Sequence, residues 1–176
     1  MIIYFLRHAN AGQHFLDPKK DDKRPLDSEG IRQCGFIGRA LSAIDVQVDV
    51  VISSPLKRAL QTATLVGTEV GYDSKIVIDK ALLPDADFSA FRDLIAKNRQ
   101  HEAIMVVGHN PSLTDFLCRT ASARTGKAAI DLKKGGVAKV EVEGKQATLQ
   151  WLLTPKAVKA IYDSSTPSSR PKMSRK

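Results

Sequence analysis

MIIYFLRHAN, residues 1–10, runs without a charge from Met1 to Leu6 and then sets Arg7 beside His8, ahead of the small residues Ala9 and, after Asn10, Ala11. A short, continuous apolar run rich in isoleucine and aromatics reads as a strand covered on both faces. Such a strand leaves the core carrying a fixed cation and a titratable imidazole at its carboxyl end. Whether other strands end the same way decides both fold and function.

Further Val- and Ile-rich runs lie at 48–53, 75–78, 103–108, 137–143 and 147–153, with helical periods at 28–43, 56–70, 87–98 and 111–121. Strands alternating with helices imply an α/β fold whose crossovers join parallel strands. The runs at 48–53 and 103–108 are almost wholly apolar, as doubly covered strands are. VAKVEVEGKQATLQW instead alternates apolar with polar around Gly144 and Lys145, the pattern of an antiparallel edge hairpin. Asp27 is placed to cap the helix at 28, with Leu26 and Ile31 as a hydrophobic staple. Ser54-Pro55 and Asn110-Pro111 each read as a cap followed by proline at the first helical position.

In parallel sheets the strand carboxyl ends share one edge, where ligands bind. Three ends carry polar groups: LRHAN (6–10), SSPLKRALQT (53–62) and VGHNPS (107–112). Arg7, His8, Arg58 and His109 are therefore expected on a common rim, with two helix N-termini aimed at the same space. Guanidinium forks pair bidentately with phosphate oxygens, and neutral imidazole is a nucleophile, so the rim suits phosphoryl transfer. A lone histidine after a strand is ordinarily packing. Matching groups at three strand ends are much harder to obtain by accident.

Composition is consistent with one globular domain: 176 residues, 43% hydrophobic and 26% charged. The net charge of +8 belongs half to the tail, where Arg170, Lys172, Arg175 and Lys176 stand without an acid. The reading is a single domain at 1–156 and a basic C-terminal extension at 157–176, disordered from about 164. A short basic tail most often solubilises a chain rather than binding nucleic acid. Cys34 and Cys118 fall at apolar helical positions, outside any metal-ligand spacing. No window reaches membrane-spanning length or has a leader pattern, so a cytoplasmic protein is expected.

LRHAN, SSPLKRALQTA and VGHNP, in this order and spacing, resemble the histidine phosphatase superfamily, and the short chain with RPLDSEG (24–30) looks like its SixA-type phosphohistidine phosphatase branch. The likeness implies a three-layer α/β fold with a mixed, mostly parallel six-stranded sheet flanked by helices, like phosphoglycerate mutase. It implies no cofactor, no metal and a phosphohistidine intermediate on His8, with Arg7, Arg58 and His109 completing the phosphate pocket. Arg24 in RPL either touches substrate or anchors its loop, and Asn10 stands near enough to contribute a hydrogen bond.

Two departures matter. Ala9 stands where glycine commonly follows the nucleophile, and alanine resists positive φ. KALLPDADF (80–88) has Ala81 where many members carry a glutamate proton donor, leaving Asp85 or Asp87 as the candidate acid, or Asp87 as a helix cap. An alkoxide needs that proton to leave, whereas imidazole, of pKa about 6.5, does not. The short inter-motif stretches also leave little chain for a lid. The reading is a monomeric phosphatase acting on phosphohistidine of a protein partner, a histidine phosphocarrier or phosphotransfer domain. The alternatives are a small-molecule phosphomonoesterase using Asp85 or Asp87, and a non-catalytic phospho-ligand binding module; a phosphomutase would need a closed site.

Overall fold

The computed structural model describes residues 1–122 and 129–165. In chain order these form β1 (Ile2–Arg7), α1 (Pro18–Asp22), α2 (Ser28–Ala43), β2 (Val50–Ser53), α3 (Lys57–Glu69), β3 (Val77–Ile78), a 3₁₀ turn (Lys80–Leu82), α4 (Phe88–Lys97), β4 (Ala103–Gly108), α5 (Ser112–Ala121), β5 (Val137–Glu143), β6 (Gln146–Leu153) and α6 (Pro155–Ser165). The six strands make one sheet in the order β3-β2-β4-β1-β5-β6. The first four are parallel, and β5 and β6 run antiparallel at one edge.

Alternation along the strands divides the core into two layers. Tyr4, Leu6, Val51, Met105 and Val107 pack with α2, α3 and α6. Ile3, Phe5, Ile52, Ile104 and Val106 pack with Phe91, Leu94, Phe116 and Leu117 of α4 and α5. Every residue of β2 and β4 is buried, the reason both strands read as near-continuous apolar runs. At the edges that pressure is absent: β3 shrinks to two residues, Val77 and Ile78, both nearly half exposed. β2 starts at Val50 because Asp49 turns its carboxylate to accept from the Glu102 and Ala103 N–H groups at 2.7 and 2.9 Å. The hairpin turns through Gly144 and Lys145, with Gly144 at φ +58°.

Some local expectations change. Asp27 caps α2, accepting from Gly30 N at 2.8 Å, but Ile31 stays 53% exposed, and with Leu26 it lines a groove between α2 and α3. Ser54 Oγ accepts from Leu56 N, so it acts one turn before α3, which starts at Lys57 rather than at proline. Pro111 itself holds the N-cap position of α5. The Asn110 side chain binds Leu132 O and Thr114 Oγ1 instead of capping.

The boundary drawn at 156 cuts through α6. That helix packs on α2: Val158 is buried, the Tyr162 ring lies 6.1 Å from Phe36, and Arg39 sits over both rings. Its helical period is short and much of it is exposed, Ile161 included, so its order comes from contact with α2. The tail beyond residue 165 lies outside the described residues.

Candidate active site

Register brings the strand ends together. Arg7 of β1 lies opposite Gly108 of β4, and Ser53 of β2 lies opposite Val107. The ladder continues one step further, with His8 N donating to Gly108 O at 3.0 Å and Ser54 N to Val107 O at 2.9 Å. His8 and His109 therefore leave adjacent strands side by side, their ring centroids 4.8 Å apart. Arg58 comes from the first turn of α3, directly after β2.

His8 Nδ1 lies 2.7 Å from Ala9 O. A carbonyl only accepts, so Nδ1 carries the proton and the lone pair of the neutral ring sits on Nε2. Burial pushes His8 down to about 3, helped by the charges of Arg58, Arg7 and Lys134 and opposed by the bond to Ala9. His109 is pushed to about 2 by burial, then by His8, Arg58 and Arg7. Its Nε2 lies 2.9 Å from Ser54 Oγ. Its Nδ1 is buried and has no partner among the described residues.

The guanidiniums are in the same condition. Arg7 gives one N–H to Leu132 O at 2.9 Å and Arg58 one to Asp21 O at 2.9 Å, while the Nε of each is buried and has no partner among the described residues. Burial lowers both from the ordinary arginine value without discharging them. Unsatisfied buried donors are rare and costly. Two of them, on guanidiniums beside the same histidine pair, suit a tetrahedral oxyanion.

The Histidine phosphatase superfamily (branch 1) model matches residues 3–83, which hold two of the three strand-end segments. An uncharacterized protein of Picosynechococcus is 30% identical over 143 residues, covering 78% of this chain and 82% of its own. The chain belongs to the histidine phosphatase superfamily. The chain is also 27% identical to the phosphohistidine phosphatase SixA of Escherichia coli, across 92% of the chain and 100% of SixA. The solved structure of the protein histidine phosphatase SixA with tungstate superposes with a TM-score of 0.76 at 22% identity, over 90% of this chain and 99% of that one. A phosphoglycerate mutase from Bacillus anthracis gives 0.70 at 15% identity, over 90% and 95%, so the sheet and its flanking helices are of the phosphoglycerate mutase type.

In this member of the superfamily the turn after His8 accepts alanine. Ala9 is fully buried, is not at positive φ, and is held by its N–H on Thr62 Oγ1 at 3.1 Å. Thr62 stands one turn after Arg58 on α3 and donates to its carbonyl. The spacing of Arg58 and Thr62 was a readable sign that both face the same side.

Arg24 is buried, and every nitrogen of its fork is taken: Nε by Asp21, one terminal nitrogen by Asp21 and His14, and the other by Ala11 O and Gly12 O. It anchors the loop. Asn10 is likewise committed, to Asp27 on one side and Lys134 on the other. Asp85 and Asp87 are exposed and line a hollow between the 3₁₀ turn and α4. Asp87 caps α4 through Ala90 N, and its bonds to Ser89 and Ala90 hold it below the usual carboxylate range. A carboxylate so held is a poor proton donor near neutral pH.

Asp21 is the group the three strand-end segments could not disclose. From α1 it pairs with Arg24 at 2.7 Å and with Arg58 at 3.4 Å, and these partners keep it far below its ordinary value. Asp21→Asn is expected to lower stability by about 1 kcal/mol, since one end of the pair reaches the surface. The folded-state value is depressed, so the gap between the two proteins should be full above about pH 4 and close as pH falls below it. Urea midpoints at pH 7 and pH 3 measure this; an equal gap at both would show that the charge is irrelevant.

Proposed function

We propose that the chain is a phosphatase that removes phosphate from a phosphorylated histidine on a protein partner through a phosphohistidine intermediate on His8. The observation that carries the reading is the neutral His8 ring, pinned through Nδ1 with no partner on Nε2 among the described residues, beside Arg7 and Arg58 Nε groups that are likewise unpaired among them. Nε2 attacks phosphorus and the bond from phosphorus to the substrate nitrogen breaks, the electron pair leaving with the imidazole, which takes its proton from solvent. Water then attacks the phosphoryl group on His8, giving inorganic phosphate and restoring the ring. The arginines and His109 stabilise the charge on the equatorial oxygens in both steps.

The nature of the leaving group supports the substrate class. The segment after β3 has Ala81 where an acid might stand, and Asp87 is spent on capping α4. An imidazole leaves without an enzymic proton donor, whereas an alcohol does not leave well. Similarity to the phosphohistidine phosphatase SixA supports the phosphohistidine substrate, and the partner of this reading is a histidine phosphocarrier or phosphotransfer domain.

The test compares turnover of a phosphohistidine-bearing protein with that of a sugar phosphate, for wild type, Asp85→Asn and Asp87→Asn. The phosphohistidine substrate is expected to be hydrolysed at least tenfold more efficiently, with neither substitution changing kcat by more than about twofold. A better rate on the sugar phosphate that collapses in either variant would replace this reading with a general phosphomonoesterase.

A further inference from the structure

Lys134 stands on the same rim, at the β5 side. Its loop is stitched to the end of β1: Gly135 N donates to both Arg7 O and His8 O at 3.1 Å, and Arg7 N donates to Gly136 O at 3.0 Å. The ammonium donates to Asn10 Oδ1 at 3.1 Å, while Asn10 Nδ2 donates to Asp27 Oδ2 at 2.7 Å. Asn10 is thus oriented from both ends, with its NH₂ toward a carboxylate and its oxygen toward a cation. Asp27 is itself fixed as the cap of α2.

The neighbouring lysine behaves differently. Lys133 is exposed and paired with Asp131, whereas half-buried Lys134 has no carboxylate partner among the described residues. Its charge is nevertheless one of those felt by His8. A neutral acceptor orients an ammonium without cancelling its charge, so two N–H directions remain for an anion.

Building on the His8 reading above, we propose that Lys134, hung from Asn10, is a substrate-binding residue that contacts the phosphoryl group in transfer. Its side of the sheet is opposite that of Arg58: β5 lies beyond β1, and β2 beyond β4. A phosphoryl group at His8 then meets guanidinium on one flank and ammonium on the other, with Arg7 between. The three cations match three equatorial oxygens, favouring the most highly charged form of the group. Asn10 is a positioning residue, acting through Lys134.

Inorganic phosphate binding by calorimetry, together with kcat and KM on a phosphohistidine-bearing protein, tests this in Lys134→Met, Lys134→Arg, Asn10→Ala, the Asn10→Ala/Lys134→Met pair and Lys133→Met. Lys134→Met is expected to weaken phosphate and raise KM about tenfold and to flatten the salt dependence of both. Arginine should restore most of the loss, and Lys133→Met should change neither. Asn10→Ala should lose part of the affinity, and the double variant should be no worse than Lys134→Met alone. Unchanged phosphate affinity in Lys134→Met, or an equal loss in Lys133→Met, would overturn the assignment. Phosphate binding needs no turnover, so a wild-type chain that binds phosphate through Lys134 but spares phosphohistidine would sink the functional reading and leave this one standing.

Discussion

His8→Ala is expected to abolish the phosphoenzyme and to lower turnover by about 10⁴-fold or more, because the covalent route is removed and the surrounding cations cannot supply a nucleophile. Rapid acid quench with a labelled phosphohistidine substrate measures both quantities. Phosphate affinity should largely survive, since Arg7 and Arg58 keep the Nε groups that have no partner among the described residues. A His8→Ala protein that still turns over with labelled enzyme accumulating would move the nucleophile elsewhere. The wild-type pH profile adds a second readout. His8 is held near 3 by burial and by Arg58, Arg7 and Lys134, so activity limited by this ring should show no acid limb near pH 6.5. Stability behaves in the opposite sense. The unfolded chain protonates both histidines below about pH 6.5 while the native one leaves them neutral, so stability declines as pH falls from there toward 3.

Gly30→Ala should produce the largest loss of stability for one added methyl. A Cβ at Gly30 would stand 2.0 Å from Asn10 O and 2.9 Å from its carbonyl carbon, both backbone atoms that no rotamer change can move. The first turn of α2 is pressed against the turn that follows His8, and Asp27 N already donates to Asn10 O at 3.2 Å. Overpacking against backbone is expected to cost about 3 kcal/mol or more, and to cut activity by displacing Asn10 and the His8 turn with it. Gly35→Ala, on the same helix, is the control. There the new methyl meets only the mobile end of Arg39 at 3.6 Å or beyond, so helix propensity should yield a gain of about 0.5–1 kcal/mol. Urea denaturation of the two variants decides the matter: equal midpoints would mean that α2 can retreat from Asn10 freely.

The legible parts of this protein are those where local chemistry and burial agree. Doubly covered β1, β2 and β4 must be apolar throughout, and α2 begins at a residue whose carboxylate caps it, so their positions follow from residue types alone. α6 was not legible, because its helix depends on Val158 and Tyr162 finding α2. Asn110 looked like a cap, yet its amide is drawn to Leu132 O across the site, a partner 22 residues away.

The same division runs through the candidate site. The residue types at three strand ends, and the rule that parallel strands deliver their carboxyl ends to one edge, are enough to gather Arg7, His8, Arg58 and His109 from the sequence alone. Strand order and register are set by pairing that alternates between faces, and that pattern is written locally. The closing of each polar group's account was decided only by tertiary structure. Asp21 on Arg24 and Arg58, Thr62 on Ala9, and Lys134 on Asn10 join segments up to 124 residues apart. A hydrogen bond depends on a few tenths of an ångström and on direction, and no periodicity in a sequence carries that information.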